Sequence, residues 1–160
     1  MNTKFALMNT RSVRNKADFI NDYIVEHHLD IIALTGTWLS HDDNAEINAL
    51  RAGGYNLCHL PRKNRRGGGV GVFYKSTFKI ISETALTTDT FEGLRVTLQC
   101  PETRSNIRVY VLYRPPSSSL SHDFMDDLGN MLRSAATHPN ESIICGDFNV
   151  HYGNTRSTGA

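Results

Sequence analysis

The fold is decided by three consecutive segments: KFALMN (residues 4–9), NKADFINDYIVEHH (residues 15–28) and DIIALT (residues 30–35). The first and last are short apolar runs of the kind found in buried strands. In the middle segment apolar residues recur every three or four positions, for example at Ile20 and Ile24, which predicts an amphipathic helix lying on a flat surface. Strand, helix and strand within about thirty residues predict a βαβ-like opening of an α/β domain.

The middle of the chain is different, because its pattern predicts strands alone. Leu94, Val96 and Leu98 alternate with polar neighbours, which indicates a half-buried antiparallel sheet. Five strand-length runs are separated by turn residues: 55–60, 69–74, 78–83, 91–99 and 107–113.

A second strand–helix–strand passage closes the sequence. Residues 115–119 read PPSSS, which is incompatible with regular structure. Ser121 is then a suitable N-cap for a helix that runs to about Ala136, and residues 142–146 predict one more buried strand.

Length and composition predict one intracellular domain. The chain has 160 residues, 39% of them hydrophobic and 21% charged, which excludes an ordinary disordered segment. We expect a single domain over residues 1–152 and a disordered tail over 153–160. The sequence offers no membrane span and no secretory signal, so we expect a nuclear or cytoplasmic protein. The formal net charge of +1 points to no partner, and three widely spaced cysteines predict neither disulfides nor a zinc cluster.

Polar residues collect where the apolar strands end. Asn9 follows the first strand, Tyr113 and Arg114 follow the fifth strand of the middle block, and Asp147 and Asn149 follow the last. Ligands in layered α/β folds meet side chains at strand ends. A carboxylate beside an amide can align and deprotonate a water, while Tyr113 and Arg114 supply donors to a phosphate oxygen. The alternative is a plain turn, in which Asp147 and Asn149 bond their own backbone.

Five segments, in order along the chain, carry a family resemblance. They are LMNTRS (7–12), IIALTGTWL (31–39), RGGGVG (66–71), LYRPP (112–116) and CGDFNVH (145–151). Together they resemble the endonuclease/exonuclease/phosphatase superfamily, and most closely the apurinic-like endonuclease domain of non-LTR (LINE-type) retrotransposons. The resemblance covers about residues 4–152.

The resemblance implies a DNase I-like, four-layer α/β/β/α sandwich that hydrolyses phosphodiesters in DNA with Mg²⁺, with no small-molecule cofactor and no membrane partner. Asn9 resembles the asparagine near the metal, and Tyr113 the tyrosine that contacts the scissile phosphate. Asp147 resembles the aspartate that activates the attacking water, and Asn149 its phosphate-orienting partner.

Two departures from the family pattern predict impaired catalysis. Family members carry a metal-ligating glutamate where this sequence has Gly36, and they continue to a terminal Ser-Asp-His segment that has no counterpart here. We therefore expect weakened Mg²⁺ binding, little or no turnover, and an incomplete second sheet whose exposed edge favours self-association. The alternatives are a non-catalytic nucleic-acid-binding pseudoenzyme and a decayed remnant.

A basic run is the candidate DNA contact. Arg62, Lys63, Arg65 and Arg66 lie in one loop, and Arg11 follows the first strand. They fit phosphate contacts, although a solvated hairpin is the alternative. The single tryptophan, Trp38, is interpreted as core or loop packing, with a base-stacking platform as the alternative.

Overall fold

The computed structural model describes residues 2–51, 53–61, 67–116 and 121–150. Its elements in the first half of the chain are β1 (Phe5–Asn9), α1 (Ala17–His27), β2 (Ile31–Thr35), α2 (Asn44–Arg51), β3 (Tyr55–Leu60) and β4 (Val70–Lys75). Those in the second half are β5 (Lys79–Thr87), β6 (Glu92–Gln99), β7 (Asn106–Tyr113), α3 (His122–Ala136) and β8 (Glu141–Asp147).

The first sheet has the strand order β1-β2-β4-β3. β1 and β2 are parallel, with Asn9 opposite Thr35, and α1 connects them. This confirms the predicted βαβ-like opening. β4 then pairs antiparallel with both β2 and β3, which places the start of β4 beside the end of β2.

The second sheet has the strand order β5-β6-β7-β8. β5, β6 and β7 form the predicted antiparallel block, and β8 returns parallel to β7 after α3. Ser121 is the N-cap of α3, where its hydroxyl oxygen accepts a hydrogen bond from the backbone N of Phe124 at 3.2 Å. The ends of β7 and β8 therefore lie side by side, with Tyr113 opposite Asp147.

Three apolar clusters hold four layers together. Between the sheets, fully buried residues such as Val72, Val96 and Val109 form the central layer. α1 and α2 pack on the outer face of the first sheet around Ile20 and Phe73. α3 packs on the second sheet through Phe124 and its neighbours. The α/β/β/α sandwich is confirmed.

Local patterning missed some elements. α2 was not predicted, because only Ile47 and Leu50 among its eight residues are buried and the segment shows too few apolar positions to reveal a period. β5 extends to Thr87 rather than ending at Glu83, since its pairing with β6 continues to Glu92 past an irregularity between Ile80 and Ser82.

An ionic cluster ties the start of β2 to its neighbours at the opposite end of the sandwich from Asn9. Asp30 accepts hydrogen bonds from the backbone N of Lys4 at 2.8 Å and from Nζ of Lys75 at 2.6 Å. Burial acts to raise the pKa of Asp30, but the bond from Lys4 and the bond and charge of Lys75 outweigh it, so the pKa lies below its ordinary value.

The outer strands of the described sheets are β1 and β3 in one and β5 and β8 in the other. Incompleteness of the second sheet and self-association through its edge stay predictions, as do the bounds of the domain. The expected tail, 153–160, lies outside the described residues. No helix in the described parts of the chain is long and apolar enough to cross a membrane.

Candidate active site

The centre of the site is a contact between the two sheets. Asn9 ends β1 in the first sheet, and Asp147 ends β8 in the second. Nδ2 of Asn9 donates a hydrogen bond to Oδ2 of Asp147 at 3.1 Å. Two strand ends from different sheets therefore meet at one edge of the sandwich, as the sequence predicted.

Tyr113 joins this pair through strand register. It is the partner of Asp147 in the parallel ladder between β7 and β8, so the two side chains leave the same face of the sheet. Tyr113 is half-buried and packs against the apolar layer between the sheets, as does Cys145, two residues before Asp147. The structure thus brings Asn9, Tyr113 and Asp147 together.

Gly36 lies directly beside Asn9. A Cβ built on Gly36 would stand 3.0 Å from Oδ1 of Asn9 and 3.3 Å from the backbone N of Arg11. Its φ is +66°, in the left-handed region that favours glycine. Position 36 therefore belongs to the site, and it presents backbone where the family pattern has a carboxylate.

Asn149 and Arg114 hold the loop after β8. The backbone N of Asn149 donates to Oδ1 of Asp147 at 3.2 Å, and its Nδ2 donates to the carbonyl oxygen of Arg114 at 2.5 Å. In return, Nη1 of Arg114 donates to the carbonyl oxygen of Asn149 at 3.1 Å. The loop is thus locked by reciprocal bonds, which combine the predicted Asx-type turn with a long-range clamp.

The placement of Arg114 differs from the expected phosphate contact. Its side chain is 4% exposed, and its guanidinium lies 4.7 Å from the ring centroid of Phe124. A second bond goes to the carbonyl oxygen of Phe148. The guanidinium stabilises the loop from inside, so the structure lends no support to a phosphate contact by Arg114. The side-chain amide nitrogen of Asn149 likewise donates to a backbone carbonyl oxygen.

Of the candidate DNA-binding cations, Arg11 lies within the described residues and the basic run does not. Arg11 is exposed next to Asn9, and its backbone N donates to Oδ1 of Asn9 at 3.3 Å. The neighbouring Lys16 donates instead to the carbonyl oxygen of Thr10. The basic run Arg62, Lys63, Arg65 and Arg66 lies outside the described residues, so its DNA contact stays a prediction.

The described residues offer a magnesium ion few side-chain ligands. Both oxygens of Asp147 accept bonds from the chain. A second carboxylate, Glu92, lies in the same row of the sheet as the ladder partner of Tyr113. Mg²⁺ needs about six oxygen ligands in octahedral geometry and usually binds through one or two carboxylates. Among the described residues, no three or more His, Cys, Asp or Glu side chains cluster closely enough to hold a metal. Position 36 adds no side-chain ligand, because it is glycine.

A tryptophan lies in the loop that follows Gly36. Trp38, interpreted from the sequence as core or loop packing, lies in the loop after β2, two residues after Gly36, and is 51% exposed. Its φ is +56°, a value that bulky residues rarely adopt. The signal available in the sequence was the short distance along the chain from Gly36.

Comparison with known proteins agrees with this architecture. The family model described as the endonuclease/exonuclease/phosphatase family matches residues 2–159. No curated protein matches the sequence.

Solved structures share the fold at low identity. The human Nocturnin catalytic domain with bound sulfate is 18% identical (TM-score 0.67), with 86% of this chain and 58% of that chain covered. The Bacteroides thetaiotaomicron mannosyl-6-phosphatase Bt3783 is 16% identical (TM-score 0.70; 93% and 66% covered). D. rerio TDP2 complexed with a single-strand DNA product is 15% identical (TM-score 0.68; 93% and 61% covered).

This chain spans 58–66% of the length of these three solved chains. A family model matched along nearly the whole sequence, together with a shared sandwich whose strand ends converge on Asn9 and Asp147, leads to one conclusion. The chain belongs to the endonuclease/exonuclease/phosphatase family.

Proposed function

We propose that this chain is a nucleic-acid-directed member of the family, of the type found in LINE-type retrotransposons, with hydrolysis impaired at position 36. The observation that carries the proposal is the Asn9–Asp147 contact beside a glycine: the residues that we assign to the metal and to water activation are in contact, while position 36 next to Asn9 offers no carboxylate. The five ordered sequence segments support the retrotransposon relationship. Because its proposed target is nucleic acid, we propose that the protein acts in the nucleus or cytoplasm.

Asp147 is the base of the proposed reaction. Bonds from Asn9 to Oδ2 and from the backbone of Asn149 to Oδ1 fix the orientation of its carboxylate. The remaining lone pairs accept the proton of a water that attacks phosphorus. The P–O ester bond then breaks, and the leaving oxygen takes a proton from solvent. We assign to Tyr113, the ladder partner of Asp147, the donation of its hydroxyl to a phosphoryl oxygen.

Nucleic acid is the substrate class that the surroundings favour. Arg11 is an exposed cation adjacent to Asn9, and four further cations lie in the run 62–66. Such cations recognise the phosphate backbone without sequence preference. The structural neighbour TDP2 has been solved with a single-strand DNA product, which adds support from the fold.

Position 36 accounts for the impairment. The family generally depends on a divalent metal, which stabilises charge on the phosphoryl and leaving oxygens. Loss of one electrostatic stabiliser of a transition state typically lowers the rate by about 10²–10³. We therefore infer residual or absent turnover with retained binding of the phosphate backbone.

A plasmid-nicking assay with Mg²⁺, together with fluorescence anisotropy of labelled DNA, tests the proposal. We expect salt-sensitive DNA binding and little nicking. Asp147→Asn should leave binding within about two-fold, because it removes a negative charge without removing a phosphate donor. Asp123→Asn, which removes an exposed carboxylate on α3, is the matched charge control.

Two results would contradict the proposal separately. Robust nicking by the unaltered chain, abolished by Asp147→Ala, would show that hydrolysis is not impaired. Failure to bind DNA at low salt would reject the nucleic-acid assignment. A binding-only role is the second candidate, favoured by the two chain donors already on the Asp147 carboxylate. The binding-only role would be identified by DNA binding without nicking above background, with no further decrease in nicking in the Asp147→Ala variant.

A further inference from the structure

We propose that Trp38 is a stacking platform for a nucleobase of the bound strand, next to the phosphate held at Asn9 and Asp147. This inference rests on the proposed nucleic-acid target and adds a base subsite to it. It follows from the exposure, backbone conformation and anchoring of this one residue.

Exposure singles out Trp38 within its segment. Thr37 before it is 0% exposed and Leu39 after it is 4% exposed, whereas Trp38 is 51% exposed. An indole with half its surface in water forgoes much of the stabilisation that burial gives an aromatic side chain. Packing the core therefore does not explain this residue.

The backbone conformation makes the exposure costly. The φ of +56° at Trp38 lies in the left-handed region, which non-glycine residues occupy at a cost. Strain of this kind persists where the surrounding structure enforces it, and it concentrates at ligand sites. The other non-glycine residues with positive φ in the described chain include Arg11 and Asn149 at the same edge, as well as His28 at the end of α1 and Arg104 between β6 and β7.

Two loops enforce the strained conformation. The backbone N of Trp38 donates to the carbonyl oxygen of Gly68 at 3.0 Å. On the other side, the carbonyl oxygen of Thr37 accepts a bond from the backbone N of Val13 at 3.0 Å. The segment is pinned between the loop after β1 and the glycine loop before β4, so the indole is presented on a fixed backbone.

The indole also lies beside Gly67. A Cβ built on Gly67 would lie 3.5 Å from Nε1 and 3.6 Å from Cε2 of Trp38, which is ordinary contact distance. The glycine at position 67 therefore leaves open the space beside this edge of the indole that a side chain would occupy. A partly exposed aromatic ring on a fixed backbone is suited to stacking on the π-face of a base, and such stacking does not depend on base sequence.

The backbone of Trp38 lies close to that of Gly36, which adjoins Asn9. Trp38 follows Gly36 by two residues, so their Cα atoms are at most about 7 Å apart. A Cβ built on Gly36 would in turn lie 3.0 Å from Oδ1 of Asn9. In the proposed complex, a phosphate lies near Asn9 and Asp147, its adjoining base stacks on the indole, and the exposed Arg11 contacts the phosphate chain.

Trp38 is the single tryptophan of the chain, so its fluorescence reports this subsite directly. The experiment titrates the unaltered chain, without metal, with a single-stranded deoxyoligonucleotide of about eight nucleotides. Tryptophan fluorescence and the anisotropy of a labelled oligonucleotide are recorded in parallel. The same titration with an oligonucleotide of abasic residues supplies the phosphates without the bases.

We expect the base-bearing strand to quench Trp38 and to protect it from acrylamide, while the abasic strand binds without either effect. Trp38→Ala should weaken binding of the base-bearing strand about ten-fold and leave binding of the abasic strand unchanged. Trp38→Phe should restore most of the affinity. Val25→Ala, which truncates an apolar side chain of α1 that is 64% exposed, is the matched control and should change neither.

The two readouts separate failure of this inference from failure of the proposed function. Binding seen by anisotropy with unchanged Trp38 fluorescence overturns the stacking platform and leaves the nucleic-acid target standing. Equal affinity of Trp38→Ala and the unaltered chain overturns it as well, and directs attention to a protein partner for the exposed indole. No binding of either strand overturns both, and the fluorescence titration decides the matter even where Trp38→Ala fails to fold.

Discussion

Replacing Gly36 by glutamate puts back the carboxylate that the family pattern has at this position, and the structure sets the cost. The φ of +66° is free for glycine but costs an L-residue about 1–2 kcal/mol. The new Cβ would stand 3.0 Å from Oδ1 of Asn9, the end of a flexible side chain that can shift by a few tenths of an ångström. The backbone conformation is therefore the larger cost.

The expected loss of stability follows from that cost. For a domain of this size, each kcal/mol shifts Tm by roughly 2–4 °C, so Gly36→Glu should melt about 2–8 °C below the unaltered chain in the absence of metal. Gly36→Ala is the matched control, because it adds the same Cβ at the same φ without a carboxylate. Both variants should lose similar stability.

Magnesium should then distinguish the two variants. A second carboxylate beside Asp147 gives the ion a pair of charged ligands. With a Kd of about 1 mM, Mg²⁺ at about 10 mM would return roughly 1.4 kcal/mol to Gly36→Glu through binding to the folded state. Gly36→Ala and the unaltered chain should gain little.

Thermal unfolding followed by circular dichroism, with and without Mg²⁺, measures both effects. If Gly36→Ala were as stable as the unaltered chain, the argument from backbone conformation would be refuted. If Mg²⁺ raised the Tm of Gly36→Glu no more than that of Gly36→Ala, position 36 would not be the missing ligand. Strong stabilisation of the unaltered chain by Mg²⁺ would show that the described donors suffice.

Three further predictions concern stability. Gly146→Ala would put a Cβ 2.0 Å from the carbonyl oxygen of Leu112 and should prevent folding, as judged by circular dichroism, whereas Gly129→Ala within α3 should stabilise by about 0.5–1 kcal/mol. Arg114→Leu should lower the free energy of unfolding in urea by about 2–4 kcal/mol, because backbone carbonyls lose their donor and an aromatic contact is lost. The pKa of Asp30 is lowered from its ordinary value of 3.8, so the ionised Asp30 stabilises the fold at pH values above 3.8. This stabilisation is lost as the pH falls through the folded-state pKa, and Asp30→Asn should therefore show a flatter dependence of unfolding free energy on acidic pH.

The architecture could be predicted because its main elements carry strong periodic patterns. β2 is buried at every position and reads as an unbroken apolar run, while β6 alternates as a sheet with one polar face does. α2 escaped prediction because two buried residues do not make a readable helical period, and its position depends on packing against α1.

The site divides along similar lines. Asn9, Tyr113 and Asp147 could be brought together from the sequence, because each follows a strand and strand ends meet at one edge. The role of Arg114 could not, since its partners are backbone carbonyls 34 and 35 positions away along the chain. The exposure of Trp38 depends on two loops that pin its backbone, and no pattern of side-chain types records such pinning.

The contact between Asn9 and Asp147 joins residues 138 positions apart, one from each sheet. Ladder hydrogen bonds run within the described sheets, whereas the layer between them is held by apolar packing such as that of Val96 and Val109. A slight shear of one sheet over the other would separate the pair without breaking a rung of either ladder. The alignment of Asn9 and Asp147 thus depends on tight packing between the two sheets. Looser packing there would disrupt the site before it unfolded the domain.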